Sequence, residues 1–170
     1  MATNLLKKYA ELLEFLYPNT EKNIKSFRAV FDRDIVSNKL QFRQKSIHPT
    51  PDEDGKDRVD DLFHHLTTKG DGKNSEGRFL DSDRTVRLHW IRHHIEEKKE
   101  NKMLVFSTDE GRNGFRTYIY DKEEEYVIVL NPLRSYDAYY LLTAYKLKGK
   151  DKERNKIEKK YKRDRLPDIL

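Results

Sequence analysis

The feature that most constrains the fold is a series of four short strand-like segments in the second half of the chain. They span residues 103–108, 115–121, 125–130 and 139–147, and connections rich in Asp, Asn, Gly and Pro separate them. A parallel crossover needs a dozen or more residues, so connections this short force neighbouring strands to run antiparallel. The pattern therefore predicts a four-stranded antiparallel β-meander.

An amphipathic helix is predicted directly before these strands, over residues 81–98. Leu88, Ile91 and Ile95 recur at helical spacing and are expected to face the sheet. Asp or Ser at positions 81 and 82 suits the start of this helix, and lysines at 98 and 99 suit its end. The predicted fold class is α+β, with this helix packed on the meander.

The first 80 residues are predicted to form a mostly helical N-terminal part, and a basic C-terminal helix is predicted to close the chain. The elements expected are helices at 4–17, 21–34, 56–67 and 151–163, a weak strand at 40–47, and loops at 48–56 and 70–77. The second helix is predicted to begin with Thr20 as its N-cap. No linker or repeat interrupts the 170 residues, so one domain is predicted.

Cysteine usage and hydropathy exclude several classes of protein. The chain has no cysteine, which rules out disulfides, thiol nucleophiles and thiolate zinc sites. Lys and Glu interrupt the leucines of the first 17 residues, so no apolar run is long enough for a signal sequence or a membrane span. We therefore expect a cytoplasmic location and no membrane partner.

Positive charge is concentrated near the C-terminus. Residues 146–165 hold eleven Lys or Arg against four Asp or Glu, a local net charge of +7 within a chain whose total is +5. The remaining residues therefore sum to −2. This distribution is typical of a protein that meets a polyanion such as RNA along one edge. The alternative is a solvated helix of mixed charge.

Two histidines and an arginine on the 81–98 helix are candidates for chemistry. His89 and His93 stand four residues apart and stack on one side of a helix, with Arg92 beside them. Together they offer a proton shuttle near neutral pH and a phosphate ligand. The alternative is a solvated polar face. No third ligand has zinc spacing, so neither a metal nor another cofactor is predicted.

Strand 115–121 carries a second set of candidates. Alternation places Arg116, Tyr118 and Tyr120 on one face and the more apolar residues on the other, which is the natural core face. An exposed face with an Arg and two Tyr would offer charge and stacking surface to single-stranded RNA. Cross-strand aromatic packing is the alternative.

Several short motifs follow one another in an order that resembles a known superfamily. They are Arg87-Leu88-His89-Trp90-Ile91-Arg92-His93-His94-Ile95-Glu96, then Arg116-Thr117-Tyr118, then Tyr126-Val127-Ile128-Val129-Leu130, then Leu142-Thr143-Ala144-Tyr145 and a basic helix. In this order, over roughly residues 84–163, the chain resembles the phage and polymorphic-toxin branches of the superfamily that unites barnase, EndoU, colicin-type tRNases and Rel-type toxins. Residues 1–80 match no family.

The resemblance implies an antiparallel sheet preceded by helices and a metal-independent ribonuclease activity. It places the polar helix position on His89, Arg92 or His93, the Arg-x-Tyr of the second strand on Arg116 and Tyr118, and the Thr-Ala-Tyr of the last strand on Thr143 and Tyr145. Members of this superfamily often carry Lys-Pro after the Trp-Ile pair, whereas this chain has Arg92-His93. The resemblance therefore does not fix the mechanism.

These residues define a predicted mechanism for RNA cleavage. RNA supplies its own nucleophile, the 2′-OH, so the protein needs a base, an acid and cations for the phosphorane. His89 or His93 is expected as base or acid, and Arg92 and Arg116 as the cations. Thr143 is expected to hydrogen-bond a phosphate oxygen, and the residues expected to bind substrate are Tyr118, Tyr145 and Lys146.

Three functions are consistent with the sequence. The first is an endoribonuclease of toxin type, for which an antitoxin or immunity protein is a possible partner. The second is a non-catalytic RNA-binding module, and the third is a phage protein that binds a host protein. The acidic segment 52–61 is either a self-covering element or an ordinary loop.

Overall fold

The computed structural model describes residues 3–16, 19–51, 53–54, 58–70, 78–149 and 151–170. The helices are α1 (Thr20–Phe31), α2 (Val59–Thr67), α3 (Ser82–Thr85), α4 (Leu88–Ile95) and α5 (Asp151–Arg163). The strands are β1 (Gln41–Phe42), β2 (Lys45–His48), β3 (Thr68–Gly70), β4 (Arg78–Leu80), β5 (Met103–Asp109), β6 (Phe115–Asp121), β7 (Tyr126–Pro132) and β8 (Ala138–Lys146). None of these helices is long and apolar enough to cross a membrane.

Six of the strands form one mixed sheet in the order β1-β2-β8-β7-β6-β5. The predicted α+β class is confirmed, but the sheet has six strands rather than four. Residues 41–48 form a short hairpin whose second strand pairs in parallel with β8, so that Ile47 lies opposite Tyr139. The hairpin reaches the sheet only because the chain returns beside β8, which a local pattern does not encode.

Strand β2 pairs with β8 only as far as Tyr140. Beyond that residue the edge of β8 has no strand partner among the described residues, and α2 and α3 contact it instead. The β3–β4 ribbon continues from the end of α2. This length of β8, which has no strand partner among the described residues, positions the candidate site described below.

Helices cover both faces of the sheet. On one face α1, α2 and α4 pack over a core that contains Trp90, Ile119, Ile128 and Leu141. On the other face, Ile157 of α5 belongs to a second core, whose remaining buried members are Phe106, Tyr118, Tyr120, Val127, Val129 and Leu147.

The prediction of an exposed face at Tyr118 and Tyr120 was wrong. The two residues are 7% and 1% exposed, and the ring of Phe106 stacks on that of Tyr118 with centroids 5.0 Å apart. Lys160 of α5 lies over the same ring. Burial against α5 removes these tyrosines from water, so the alternative of cross-strand aromatic packing describes them.

The predicted helix over residues 4–17 was also wrong. Only a 3₁₀ turn, Thr3–Leu6, forms, and the following residues are irregular up to residue 16, with Ala10 at a φ of +77°. The side chain of the fully buried Asn4 donates to the Glu14 carbonyl and accepts from the Glu14 N–H. Tertiary partners thus satisfy backbone groups that a helix would have paired internally.

The single helix predicted over residues 81–98 is two helices, α3 and α4. The predicted start is confirmed, because the Asp81 side chain accepts hydrogen bonds from the backbone N–H groups of Asp83 and Arg84. The chain leaves helical geometry at Arg87, where φ is −115° and ψ is 16°, and α4 ends before Glu97, at a φ of +54°. Lys98 therefore lies beyond the helix that it was expected to end.

Smaller differences concern helix boundaries. Helix α1 is capped by Asn19 rather than by Thr20, and it continues into a π-helical turn, Asp32–Val36. Helix α2 begins at Val59. Residues 56 and 57 of the predicted helix, residues 52, 55 and 56 of the first predicted loop and residues 71–77 of the second lie outside the described residues.

Candidate active site

The structure separates the predicted site residues into three places. His89, Arg92 and His93 lie on the flank of α4, Arg116 lies near one end of β6, and Thr143 and Tyr145 lie on β8. The predicted mechanism, in contrast, needs its base, acid and cations around one phosphate.

On the flank of α4, the Arg92 guanidinium is engaged by the protein itself. It donates to the carbonyl oxygens of Asp34, Asn38 and Lys39 at 2.8, 3.2 and 3.4 Å. It also forms an ion pair with Glu96 at 2.7 Å. These acceptors surround the end of the π-helical turn, so Arg92 holds that turn to α4.

The two predicted histidines beside Arg92 are shielded from water to different degrees. His89 is 6% exposed, with Nε2 3.3 Å from the Lys8 carbonyl oxygen and no described partner for Nδ1. The half-buried His93 stacks on Tyr9 with ring centroids 4.0 Å apart. Burial lowers the pKa of His89, and burial together with the neighbouring His94 lowers the pKa of His93 to about 4. Near pH 7 both rings are therefore neutral, and neither is suited to donate a proton to a leaving group.

A buried network that the sequence did not indicate lies on the next residue, His94. Its Nδ1 is 2.7 Å from the Trp90 carbonyl oxygen and its Nε2 is 2.8 Å from Asp121 Oδ2. A carbonyl and a carboxylate only accept hydrogen bonds, so the His94 ring is placed to donate to both. His94 is 1% exposed and Asp121 is fully buried, so these contacts lie inside the protein.

Further donors complete the network around Asp121. Lys99 Nζ lies 2.9 Å from each carboxylate oxygen, and the Tyr9 hydroxyl donates to Oδ2 at 3.1 Å. Burial alone disfavours the charged carboxylate, but the hydrogen bonds from His94 and Lys99 outweigh it and hold the pKa of Asp121 well below its usual range. The network ties the N-terminal segment, α4 and β6 together, which is a structural role. His93 and His94 are adjacent in sequence, and only tertiary packing distinguishes them.

The third place, at the open edge of β8, brings Thr143 and Tyr145 together with Arg84 of α3. Arg84 Nη1 donates to the Thr143 hydroxyl at 3.4 Å and to the His65 carbonyl oxygen at 3.2 Å. The guanidinium carbon lies 5.4 Å from the centroid of the Tyr145 ring. We call His65, Arg84, Thr143 and Tyr145 the β8-edge cluster.

Local structure explains why these residues meet. Asp81 caps α3 and lies 3.6 Å from Arg84 Nε, which orients the guanidinium, while Lys148 pairs with Asp81 and Asp83 at 3.0 and 2.9 Å. The register of β8 also shifts here, because Leu141 pairs with Leu130 whereas Thr143 pairs with Val129. Such bulges redirect side chains and are common beside active sites.

His65 presents an exposed side chain at this edge. It lines a cavity of about 380 Å³ whose other walls are Thr50, Arg58, Asp61, Leu62, Leu141 and Leu142. The sequence analysis selected neither His65 nor Arg84. The available signal was the N-cap at Asp81, which places Arg84 three residues into the helix start.

The remaining predicted residues lie apart from this cluster. Arg116 Nη1 donates to the Phe115 carbonyl and to Asn131 Oδ1. The sheet register puts Arg116 about 12 Å from Thr143, two strands across and two residues along. Lys146 Nζ donates to the Glu124 carbonyl at 3.0 Å, and the Tyr118 hydroxyl donates to Glu110 in the second core. Tyr118 is therefore not available as a stacking surface.

Neither metal ligands nor known relatives define the site further. Among the described residues, no group of three or more His, Asp or Glu is placed to hold a metal ion. No family model, curated protein or solved structure matches this chain. The geometry of the β8-edge cluster is therefore the basis for assigning roles to its residues.

Proposed function

We propose that the protein is a metal-independent endoribonuclease of toxin type, with its active site at the β8-edge cluster. In this proposal β5 to β8, together with α4 and the basic helix α5, form the nuclease-like unit. The observation that carries the proposal is the position of Arg84, whose guanidinium contacts both the Thr143 hydroxyl and the Tyr145 ring beside an exposed histidine.

The cluster supplies the groups that cleavage through the 2′-OH needs. Histidine is the side chain best suited to both acid and base roles near neutral pH, so His65 takes the proton from the 2′-OH and then delivers it to the departing 5′ oxygen. Arg84 stabilises the added negative charge of the phosphorane, and the Thr143 hydroxyl donates to a phosphate oxygen. Tyr145 holds the guanidinium through a cation–π contact. The products are a 2′,3′-cyclic phosphate and a 5′-OH.

Charge favours RNA as the substrate. The net charge of +7 over residues 146–165 begins at the end of β8, close in sequence to Thr143 and Tyr145. A segment of such high positive charge attracts a polyanion and strengthens its binding at low salt. A toxin-type activity in the cytoplasm also implies an antitoxin or immunity protein that covers the site.

The test is incubation of the purified protein with total RNA in EDTA, followed by analysis of the fragment ends. Wild-type protein should release fragments with cyclic phosphate ends. His65→Ala should slow cleavage by about 100-fold, whereas the control His64→Ala, an equally exposed neighbour on α2, should leave the rate unchanged. Intact RNA with folded wild-type protein would rule out the nuclease.

The second candidate is a non-catalytic RNA-binding module. It is favoured by the separation of the predicted groups, because Arg92 and Arg116 do not join Thr143 around one phosphate. This candidate predicts salt-sensitive RNA binding and no cleavage.

A further inference from the structure

A large cleft lies at the end of the sheet, between the β5–β6 turn and the β7–β8 turn. Its volume is about 810 Å³, about twice that of the cavity beside His65. Arg112 comes from the first turn and Arg134 and Tyr136 from the second, while Asn131 and Tyr140 line it from the sheet. None of the described lining residues is acidic.

The two arginines of the cleft differ from most others in the molecule. Within the described part of the chain, neither Arg112 nor Arg134 forms a hydrogen bond or an ion pair through its side chain. Arg28, Arg33 and Arg92, in contrast, are each paired with an aspartate or glutamate. The cleft therefore presents two uncompensated guanidinium groups, which are suited to phosphate oxygens.

Aromatic rings lie beside these charges. Tyr136 is 45% exposed, and its ring centroid lies 6.5 Å from that of Phe115. Its backbone has a φ of +57°, a conformation that tyrosine rarely adopts, and hydrogen bonds from Tyr136 N–H to Leu133 and from Leu133 N–H to Ala138 hold the turn. The fold thus maintains an unusual backbone conformation that presents a ring at the mouth of the cleft.

The floor of the cleft adds hydrogen-bonding capacity. Asn131 stands between Arg116, which donates to its Oδ1, and Tyr140, its partner across the β7–β8 pair. Its amide nitrogen has no hydrogen-bond partner among the described residues and so remains able to donate to the edge of a base. Guanidinium groups, accessible rings and an amide in one cleft form the combination that binds single-stranded nucleic acid.

We propose that this cleft binds the single-stranded RNA segment that flanks the bond to be cleaved. The proposal deepens the proposed nuclease function and rests on it for the choice of substrate. Tyr140 is three residues before Thr143 on β8, about 10 Å along the strand. One RNA strand can therefore contact the cleft and the β8-edge cluster together. Arg112 and Arg134 bind its phosphates, while Tyr136 and Tyr140 stack on its bases.

The test measures binding of a fluorescent single-stranded 2′-O-methyl RNA oligonucleotide, which cannot be cleaved, as a function of salt. The test variant is Arg112→Gln/Arg134→Gln. The control is Arg28→Gln/Arg43→Gln, which removes the same net charge from arginines outside both the cleft and the basic segment 146–165. Thermal melts establish that both variants are folded, and total RNA in EDTA reports cleavage in parallel.

The cleft variant should bind at least about 10-fold more weakly than wild type, and its slope of log K against log salt should fall by about 1.4, which corresponds to two phosphate contacts. The control should bind within about 3-fold of wild type. Equal binding by the two variants would overturn the cleft proposal, even if wild type cleaves RNA. Weakened binding by the cleft variant alone, with no cleavage by wild type, would support the cleft and overturn the nuclease.

Discussion

The flank of α4 and the edge of β8 contain the same kinds of residue but differ in what those residues can do. On the flank, three backbone carbonyls and Glu96 occupy the donors of Arg92, and His89 is buried. At the edge of β8, Arg84 contacts a hydroxyl and an aromatic ring, and His65 is exposed. The two arginines are similarly exposed, 18% for Arg84 and 24% for Arg92, so the histidines distinguish the two regions. A histidine beside an arginine therefore indicates a site only where tertiary contacts leave the imidazole accessible.

The difference arises from what covers each region. The irregular N-terminal segment lies against α4, where the Glu11 carbonyl accepts from Trp90 Nε1 and Tyr9 stacks on His93. The edge of β8 is open because β2 stops at the level of Tyr140. The comparison predicts that variants on the α4 side change stability, whereas variants at the β8 edge change activity.

The largest effect is expected for Asp121→Ala, which removes the carboxylate at the centre of the buried network beneath α4. The Lys99 ammonium and the His94 ring would lose the buried carboxylate that they contact, so the free energy of unfolding should fall by about 4 kcal/mol. Urea denaturation measures this loss. Glu123→Ala is the control, because Glu123 also pairs with Lys99 but is exposed, and it should give little change. Similar losses in both variants would argue against a structural network.

At the β8 edge, Arg84→Lys tests activity rather than stability. Lysine keeps the charge but loses the planar group that reaches both Thr143 and the Tyr145 ring. The rate of RNA cleavage should fall by about 100-fold, or about 2.7 kcal/mol of transition-state stabilisation. Single-turnover cleavage assays measure this change. A variant that cleaves like wild type would remove Arg84 from the mechanism.

A smaller effect is expected for Arg92→Gln on the flank. The carbonyls of Asp34 and Asn38 would lose a charged donor, so the free energy of unfolding should fall by about 1–2 kcal/mol. The rate of RNA cleavage below the melting temperature should not change. If the rate of RNA cleavage fell while the free energy of unfolding stayed the same, Arg92 would belong to the active site and not to the structural support of α4.

The smallest effect concerns pH. The pKa of His93 is about 4 in the folded protein against 6.5 for the free side chain, so the unfolded chain binds more protons between these values. The contribution of His93 to the free energy of unfolding is complete above pH 6.5 and declines as the pH falls towards 4. The pKa of His89 is also lowered, so His89 contributes with the same pH dependence. In chemical denaturation at several pH values, His93→Gln should reduce this decline by about 1 kcal/mol after allowance for solvent screening. His64→Gln, as the control, should leave the profile unchanged.

The sequence by itself determined the α+β class and the approximate positions of the second-half strands. The segments predicted at 115–121 and 139–147 lie close to β6 and β8. These predictions rest on alternation and on connection length, which are local properties of the chain. The Asp81 cap was predictable for the same reason, because its acceptor and donors lie within three residues.

Tertiary structure decided which of the candidate residues remain accessible. Alternation alone allows Tyr118 and Tyr120 to face water, but α5 packs on them and buries them. The pattern of residues 4–16 allows a helix, but Asn4 and Trp90 form hydrogen bonds with backbone groups of this segment instead. Arg84 reaches both Thr143 and the His65 carbonyl only because β2 ends early and α2 and α3 lie against β8. Each outcome depends on contacts between residues distant in the chain, and the burial and hydrogen bonding set by those contacts decide whether a side chain serves the fold or a ligand.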